Sequence, residues 1–79
     1  MKQVFRGISD KELKQYSKGV PANKRFTTDI MMARKFGKNV IKVNLTKSNF
    51  TEAMNLKERY YLNKKPVKRF IKLGFLDLK

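Results

Sequence analysis

With 79 residues, no cysteine and no histidine, the chain predicts a single small domain, residues 1–79, without disulfides, the usual zinc sites or histidine-based catalysis. Its 20 lysines and arginines against 6 acidic residues give a formal charge of +14 at pH 7. That charge exceeds the roughly 2 to 8 that keeps a small domain soluble, so the composition indicates a polyanionic partner.

The N-terminal part of the chain predicts a strand followed by a short helix. Residues 3 to 6, QVFR, have the composition of a short strand. Ser9 and Glu12 then have the spacing of a capping box, in which each side chain bonds the backbone N–H of the other residue. We expect a helix from this box to about Tyr16, with Gly19 as the stop signal.

The stretch RFTTDIMMARKFG predicts a second helix. The Thr28 hydroxyl is expected to cap a helix over residues 29–36, and Asp29 adds a favourable negative charge in its first turn. Gly37 is expected to end it. The apolar residues have the three- and four-residue spacing of a buried helical face: Ile30, Met32, Ala33 and Phe36.

The middle of the chain contains one clear strand and one ambiguous stretch. Residues 40–45, VIKVNL, alternate apolar and polar side chains and predict a strand. Residues 48–62 fit either one long helix, or a one-turn helix that ends near Asn55 and a strand over 57–62. The adjacent tyrosines favour the strand, which would also give VIKVNL a partner in a sheet.

The C-terminal residues complete a mixed fold. Beyond Pro66, VKRFIKLGFLDL predicts an extended segment with a bend at Gly74. Taken together, these elements predict an α+β fold with a small, largely antiparallel sheet and two or three short helices.

Several short sequences follow one another in an informative order. A first strand ends in FRG, a loop leads to FTT, a helix carries ARKFG, the strand VIKVNL follows, and a glutamate stands in KERYYL about thirty residues after the threonines. This order resembles that of the ADP-ribosyltransferases, the bacterial toxins and phage enzymes that transfer ADP-ribose from NAD to a target. The resemblance spans residues 3 to 73 and implies a compressed transferase domain.

The resemblance assigns roles to four residues. Arg6 would match the arginine that holds the NAD phosphates, and its planar guanidinium suits phosphate oxygens. Thr27 and Thr28 would match the hydroxyl-bearing stretch that braces the NAD pocket. Glu58 would match the catalytic glutamate, which holds a ribose hydroxyl and stabilises the cationic sugar as nicotinamide leaves.

These residues also have structural explanations, as a surface cation (Arg6), a helix cap (Thr28) and a solvated partner of a lysine (Glu58). Leu56 occupies the position where arginine-modifying transferases carry a second acidic residue, and the loop between Arg6 and Thr27 is short for an NAD pocket. We therefore predict a non-catalytic binding protein on a transferase-like scaffold, with no cofactor. The alternative is a mono-ADP-ribosyltransferase that uses NAD to modify a protein or a nucleic acid.

The expected partner is a nucleic acid or an acidic protein surface. Cations flank aromatic residues in ERYYLNKK and KRFIK, so the cations can neutralise phosphates while the rings stack on bases. The candidate contact residues are Lys57, Arg59, Lys64, Lys65, Lys68, Arg69 and Lys72. No apolar run approaches the roughly 20 residues of a membrane span, and the N-terminus lacks the apolar core of a signal peptide. We therefore expect a cytoplasmic protein with no membrane and no metal partner.

Overall fold

The computed structural model describes residues 2–54 and 59–78. These residues form six strands, two short α-helices and two 3₁₀ turns, which confirms the α+β class. In chain order the elements are β1 (Gln3–Ile8), α1 (Asp10–Gln15), a 3₁₀ turn (Tyr16–Lys18), β2 (Arg25–Phe26), α2 (Ile30–Arg34), β3 (Asn39–Asn44), β4 (Phe50–Met54), β5 (Arg59–Asn63), β6 (Ile71–Leu73) and a second 3₁₀ turn (Phe75–Leu78).

The strands form two antiparallel sheets that meet at one pair of residues. In the first sheet β3 lies between β1 and β6, and in the second sheet β5 lies between β2 and β4. Phe5 of β1 and Thr27, directly after β2, exchange two backbone hydrogen bonds of 2.7 and 2.8 Å. This pair, here called the bridge pair, therefore fixes one edge of the first sheet against one edge of the second.

The first sheet is buried on both faces. Side chains alternate across a strand, so Val4 and Ile41 lie on one face while Val40 and Leu73 lie on the other. The first face packs against the second sheet in a core that contains Val4, Ile8, Tyr16, Val20, Phe26, Ile41, Val43, Phe50 and Tyr61. The opposite face packs against α2 and the C-terminal 3₁₀ turn in a smaller core of Ala33, Val40, Leu73 and Leu78.

Two glycines allow α2 to lie directly on β1. A Cβ at Gly7 would overlap the carbonyl oxygen of Ala33, and a Cβ at Gly37 would overlap the backbone of Ile8. Helix and strand therefore approach through backbone atoms and the small side chain of Ala33. Phe36, which the helical spacing predicts to be buried, is instead 64% exposed beside this contact.

The ambiguous middle stretch contains two antiparallel strands, β4 and β5, and neither predicted helix forms in its described residues. A turn over 47–49 leads into β4, whose Phe50 packs edge-on against Phe26 with ring centres 5.5 Å apart. The contact of Phe50 with Phe26, which is distant in sequence, favours an extended chain at a position where the local spacing also fits a helix. The strand predicted over 57–62 is present from Arg59 onwards, and residues 57 and 58 lie outside the described residues. It pairs with β2 and β4, so the predicted pairing with VIKVNL is wrong.

The C-terminal segment is extended over a shorter range than its sequence predicts. Only Ile71–Leu73 forms a strand, and it pairs with β3. The chain then bends at Gly74, whose N–H donates to the Asp77 carboxylate at 3.0 Å, and enters the 3₁₀ turn. No helix among the described residues is both long and apolar enough to cross a bilayer.

The start of α2 differs from the prediction by one residue. Asp29, not Thr28, is the N-cap, because its carboxylate accepts from the backbone N–H groups of Met31 and Met32 at 2.9 and 3.4 Å. The hydroxyl of Thr27 accepts from the Asp29 N–H at 3.1 Å. Thr27 is paired with Phe5 in an extended conformation, so the helix can begin only after this pair. The helix is also shorter than the predicted 29–36.

We therefore expect Asp29→Ala to destabilise the protein and Thr28→Ala to leave its stability nearly unchanged. Loss of an N-cap carboxylate costs about 1 kcal/mol, within a usual range of about 0.5–2 kcal/mol. In a domain of this size that corresponds to a fall in Tm of about 4–8 °C. Thermal unfolding followed by circular dichroism measures both variants, and equal losses of Tm would contradict the assignment of the cap.

Candidate functional site

A pocket opens where the two sheets meet. It encloses about 140 Å³ and lies beside the bridge pair, with α2 on one side and β5 on the other. Its lining includes four aromatic residues, two arginines and one threonine, namely Phe5, Phe26, Phe36, Tyr60, Arg6, Arg25 and Thr27. We call this cavity the bridge pocket. Aromatic rings combined with cations suit a ligand that contains a flat ring and a negative charge.

The side chain of Arg6 joins three segments at the base of this pocket. Its Nε and Nη2 atoms donate to Oε2 of Glu12 at 3.1 and 3.0 Å, and Nε also lies 3.2 Å from the Tyr16 hydroxyl. Its Nη1 donates to the backbone carbonyl of Arg25 at 3.0 Å. The guanidinium has five N–H donors, so three of them are already directed at protein acceptors. Arg6 is therefore primarily a structural residue.

Glu12 and Tyr16 complete this cluster, which we call the Arg6 cluster. Burial opposes ionisation of Glu12, but the 2.6 Å hydrogen bond from the Tyr16 hydroxyl and the charge of Arg6 outweigh it and hold its pKa below the ordinary value. Burial, reinforced by the bond to Glu12, raises the pKa of Tyr16 to about 12. At neutral pH the cluster is therefore an arginine cation, a carboxylate and a neutral phenol.

The sequence had indicated only part of the role of Glu12. The Ser9 hydroxyl accepts from the Glu12 N–H at 3.2 Å, which confirms that half of the predicted capping box. The Glu12 carboxylate binds Arg6 and Tyr16 rather than returning to Ser9. Glutamate and tyrosine four residues apart on a helix are neighbours, and this spacing was the available signal for the pair.

The residues that the transferase resemblance implies are brought together only in part. Arg6 and Thr27 line the bridge pocket, and Thr27 is buried there. Thr28 is exposed and lines a separate, more open depression with Lys42. Glu58, the implied catalytic residue, lies outside the described residues, as do Leu56 and Lys57. Tyr60, one of the adjacent tyrosines that favour a strand, is part of the pocket wall.

Five of the seven candidate nucleic-acid contacts lie on one segment that begins directly after β5 and ends within β6. We call residues 64–72 the basic segment, and its cations Lys64, Lys65, Lys68, Arg69 and Lys72 are all exposed. Arg59 is exposed at the other end of β5 and pairs with Glu52 at 3.1 Å. Of the candidate contacts that the structure describes, five therefore lie on the basic segment and one, Arg59, lies at the opposite end of β5.

Backbone pairing holds the middle of the basic segment in place. Val67 and Val20 exchange two backbone hydrogen bonds of 2.7 and 2.8 Å. The Phe70 ring packs edge-on against Tyr16, with ring centres 6.2 Å apart. The Gly19 Cα–H lies against the backbone of this segment, where a Cβ would collide with the Val67 carbonyl. The segment therefore has a defined path along the loop that follows α1.

Asn63 anchors the start of the basic segment, and sequence analysis had not singled it out. It is fully buried, and its Oδ1 atom accepts from the Lys24 N–H at 2.7 Å. Its Nδ2 atom donates to the carbonyls of Pro21 and Lys65 at 2.6 and 3.4 Å. A buried amide with partners on both of its ends positions two loops relative to each other. Nothing in the local sequence distinguishes it from the other asparagines.

The acidic residues of the described segments are engaged elsewhere in the fold. Asp10 contacts Asn39 and Lys38, which together lower its pKa, and Glu52 pairs with Arg59. Asp29 caps α2, and Asp77 binds the Gly74 N–H. None of the three ion pairs found within residues 2–54 and 59–78 includes a cation of the basic segment. The positive charge of that segment therefore faces solvent.

Comparison with protein families, curated proteins and solved structures finds no match for this chain. In the part of the chain that the structure describes, no group of three acidic residues is placed to hold a metal ion. The transferase resemblance therefore depends on its short sequences and on the position of Arg6 and Thr27.

Glu12→Gln tests the Arg6 cluster, because it removes the carboxylate and keeps the side-chain size. Arg6 and Tyr16 lose a charged acceptor, so the free energy of unfolding at pH 7 should fall by about 1–3 kcal/mol. Folding lowers the pKa of Glu12 below its ordinary value of 4.5. The ionised carboxylate therefore stabilises the folded protein fully above pH 4.5, and this contribution is lost as the pH falls through the pKa of Glu12 in the folded state. The difference between wild type and variant, measured by urea unfolding, should therefore shrink in acid.

Glu52→Gln is the matched control, since it breaks an ion pair between two more exposed side chains. Exposed pairs contribute less than about 1 kcal/mol. An equal effect of both substitutions would contradict a structural role for the Arg6 cluster.

Proposed function

We propose that this protein is a non-catalytic nucleic-acid-binding protein whose basic segment contacts the phosphate backbone. The observation that carries the proposal is the exposed group of five cations on a segment that is held to the rest of the fold at both Asn63 and Val67. A net charge of +14 adds long-range attraction for any polyanion.

Preorganisation makes this segment a better phosphate site than an equally basic tail. A mobile tail loses conformational entropy when it binds, whereas a segment already fixed by backbone pairing loses less. Lysine and arginine together supply point charges and planar donors for phosphate oxygens. Such contacts release counterions and carry little sequence information, so the expected binding is strong at low salt and nearly independent of sequence.

Lysines from a neighbouring loop extend the same surface. Lys18 is exposed and precedes Gly19, which touches the backbone of Val67 and Lys68. Lys24 shares a pair of hydrogen bonds with Asn63, one of them from the backbone of Asn63. The surface around the basic segment therefore has more positive charge than the segment alone supplies.

The alternative function is a mono-ADP-ribosyltransferase, and one observation favours it: Arg6 and Thr27 line the same pocket. Two observations weigh against it. The Arg6 guanidinium already binds Glu12 and the Arg25 carbonyl. The pocket volume of about 140 Å³ is also below the roughly 300–1,000 Å³ of small-molecule sites, and NAD has two ring systems. We therefore place binding before catalysis.

Neutralising part of the basic segment should weaken nucleic-acid binding. The test variant replaces Lys64, Lys65, Lys68 and Arg69 by glutamine. The control variant replaces the same residue types on and beside the two helices, Lys11, Lys14, Lys35 and Arg34, all of which are exposed. Both variants carry the same net charge, so only the location of the lost cations differs.

Fluorescence anisotropy with labelled duplex DNA between 50 and 200 mM salt measures the affinity. Each phosphate contact contributes a slope of about −0.9 in a plot of log K against log salt, so we expect the test variant, which lacks four cations, to lose up to about 3.6 units of slope and the control variant much less. Equal losses would show that net charge, rather than the basic segment, determines binding. Binding by the wild type that does not depend on salt would contradict the proposal itself.

The enzymatic alternative is tested by incubating the protein with NAD and candidate protein or nucleic-acid acceptors. We expect no transfer of ADP-ribose, because the Arg6 donors are engaged and the pocket is small. Transfer by the wild type that is abolished by Glu58→Ala, with Glu52→Ala as the matched control, would establish the alternative instead.

A further inference from the structure

The wall of the bridge pocket includes an aromatic residue, Phe36, that belongs to neither of the two hydrophobic cores. Phe36 is 64% exposed, whereas the rings of Phe26 and Phe50 are buried in the larger core. It lies at the pocket with Tyr60, and the exposed side chain of Arg25 lies there too. Exposed aromatic rings beside cations are what single-stranded nucleic acids use as stacking surfaces.

The size of the pocket limits which ring it can hold. An apolar protein cavity of about 150 Å³ accepts a benzene molecule, and the bridge pocket encloses about 140 Å³. One six-membered ring therefore fits, whereas the fused rings of a purine would extend out of the cavity. The size favours a pyrimidine.

The pocket is continuous with the basic segment along β5. Tyr60 lines the pocket, and Lys64 follows four residues later, about 13 Å along an extended strand. Between these two points Arg25 pairs with Leu62, and Lys24 is bonded to Asn63. None of the ion pairs within the described ranges includes Arg25 or Lys24. An exposed cation, Arg25, therefore lies between the pocket and the basic segment.

From this arrangement we propose that the bridge pocket binds one unstacked pyrimidine base of a single-stranded nucleic acid. The base stacks on Phe36 and Tyr60, while Arg25 and the basic segment hold the neighbouring phosphates. This inference rests on the proposed function and makes it more specific, since a base inside a duplex cannot reach the pocket. A single strand that offers accessible pyrimidines is then the preferred partner.

The test compares oligo(dT), oligo(dA) and a duplex of the same length as ligands for the wild type and three variants. The variants are Phe36→Ala in the pocket and Phe75→Ala as the matched control, because Phe75 is 80% exposed and is not part of the pocket wall. Both residues are exposed, so neither substitution removes a buried ring. Phe36→Tyr, which keeps a stacking ring, serves as the rescue variant.

We expect the wild type to bind oligo(dT) more tightly than oligo(dA). Phe36→Ala should lower the oligo(dT) affinity at least about fivefold, the lower end of what stacking on one aromatic ring contributes. Its duplex affinity should stay within about twofold of the wild type, and Phe75→Ala should change neither affinity. Phe36→Tyr should restore oligo(dT) binding.

The outcomes separate this inference from the proposed function. Oligo(dT) affinity that is unchanged in Phe36→Ala, together with binding that still depends on salt and on the basic segment, would overturn the base pocket alone. The absence of salt-dependent binding to any of the three ligands would overturn both. Thymidine monophosphate and NAD, titrated separately as competitors of oligo(dT), distinguish a base from a dinucleotide. Stronger displacement by NAD than by thymidine monophosphate would overturn the pyrimidine assignment.

Discussion

The Arg6 guanidinium adds side-chain hydrogen bonds to the backbone pairing at the point where the two sheets meet. Its hydrogen bonds reach Glu12 on α1, the Tyr16 hydroxyl and the Arg25 carbonyl of β2. The side chains of Arg6 and Glu12 are only 22% and 26% exposed, so solvent and salt screen their attraction less than that of a surface ion pair. This cluster therefore links α1 and β2 to β1 beside the pocket.

A strongly basic chain must use its few acidic residues where they stabilise the fold. In the described segments three of them bind an arginine at the sheet junction, cap a helix or hold a C-terminal turn, while Asp10 and Glu52 form exposed ion pairs. None of the ion pairs within residues 2–54 and 59–78 includes a cation of the basic segment, and Asn63 together with the Val20–Val67 pairing gives that segment a defined position. The charged groups that bond within the fold are thus largely separate from the exposed cations of the basic segment.

The resemblance to the transferases and the observed structure assign different roles to Arg6 and Thr27. Arg6 and Thr27 both line the bridge pocket, but the Arg6 guanidinium is bonded within the fold and the Thr27 hydroxyl accepts from the Asp29 N–H at the start of α2. One fold can carry many functions, so the function has to be inferred from the residues of the site. The pocket dimensions and the exposed ring of Phe36 favour one base over a dinucleotide.

The sequence by itself determined the elements that depend on local pattern and the excess of positive charge. β1, the Ser9 cap, VIKVNL and the strand that begins at Arg59 all follow from alternation, capping and side-chain shape. Tertiary structure alone decided that Phe50 begins a strand, that Asp29 rather than Thr28 caps α2, and that Asn63 holds the basic segment. Each of these outcomes depends on a contact between residues distant in sequence, and local periodicity carries no information about such contacts.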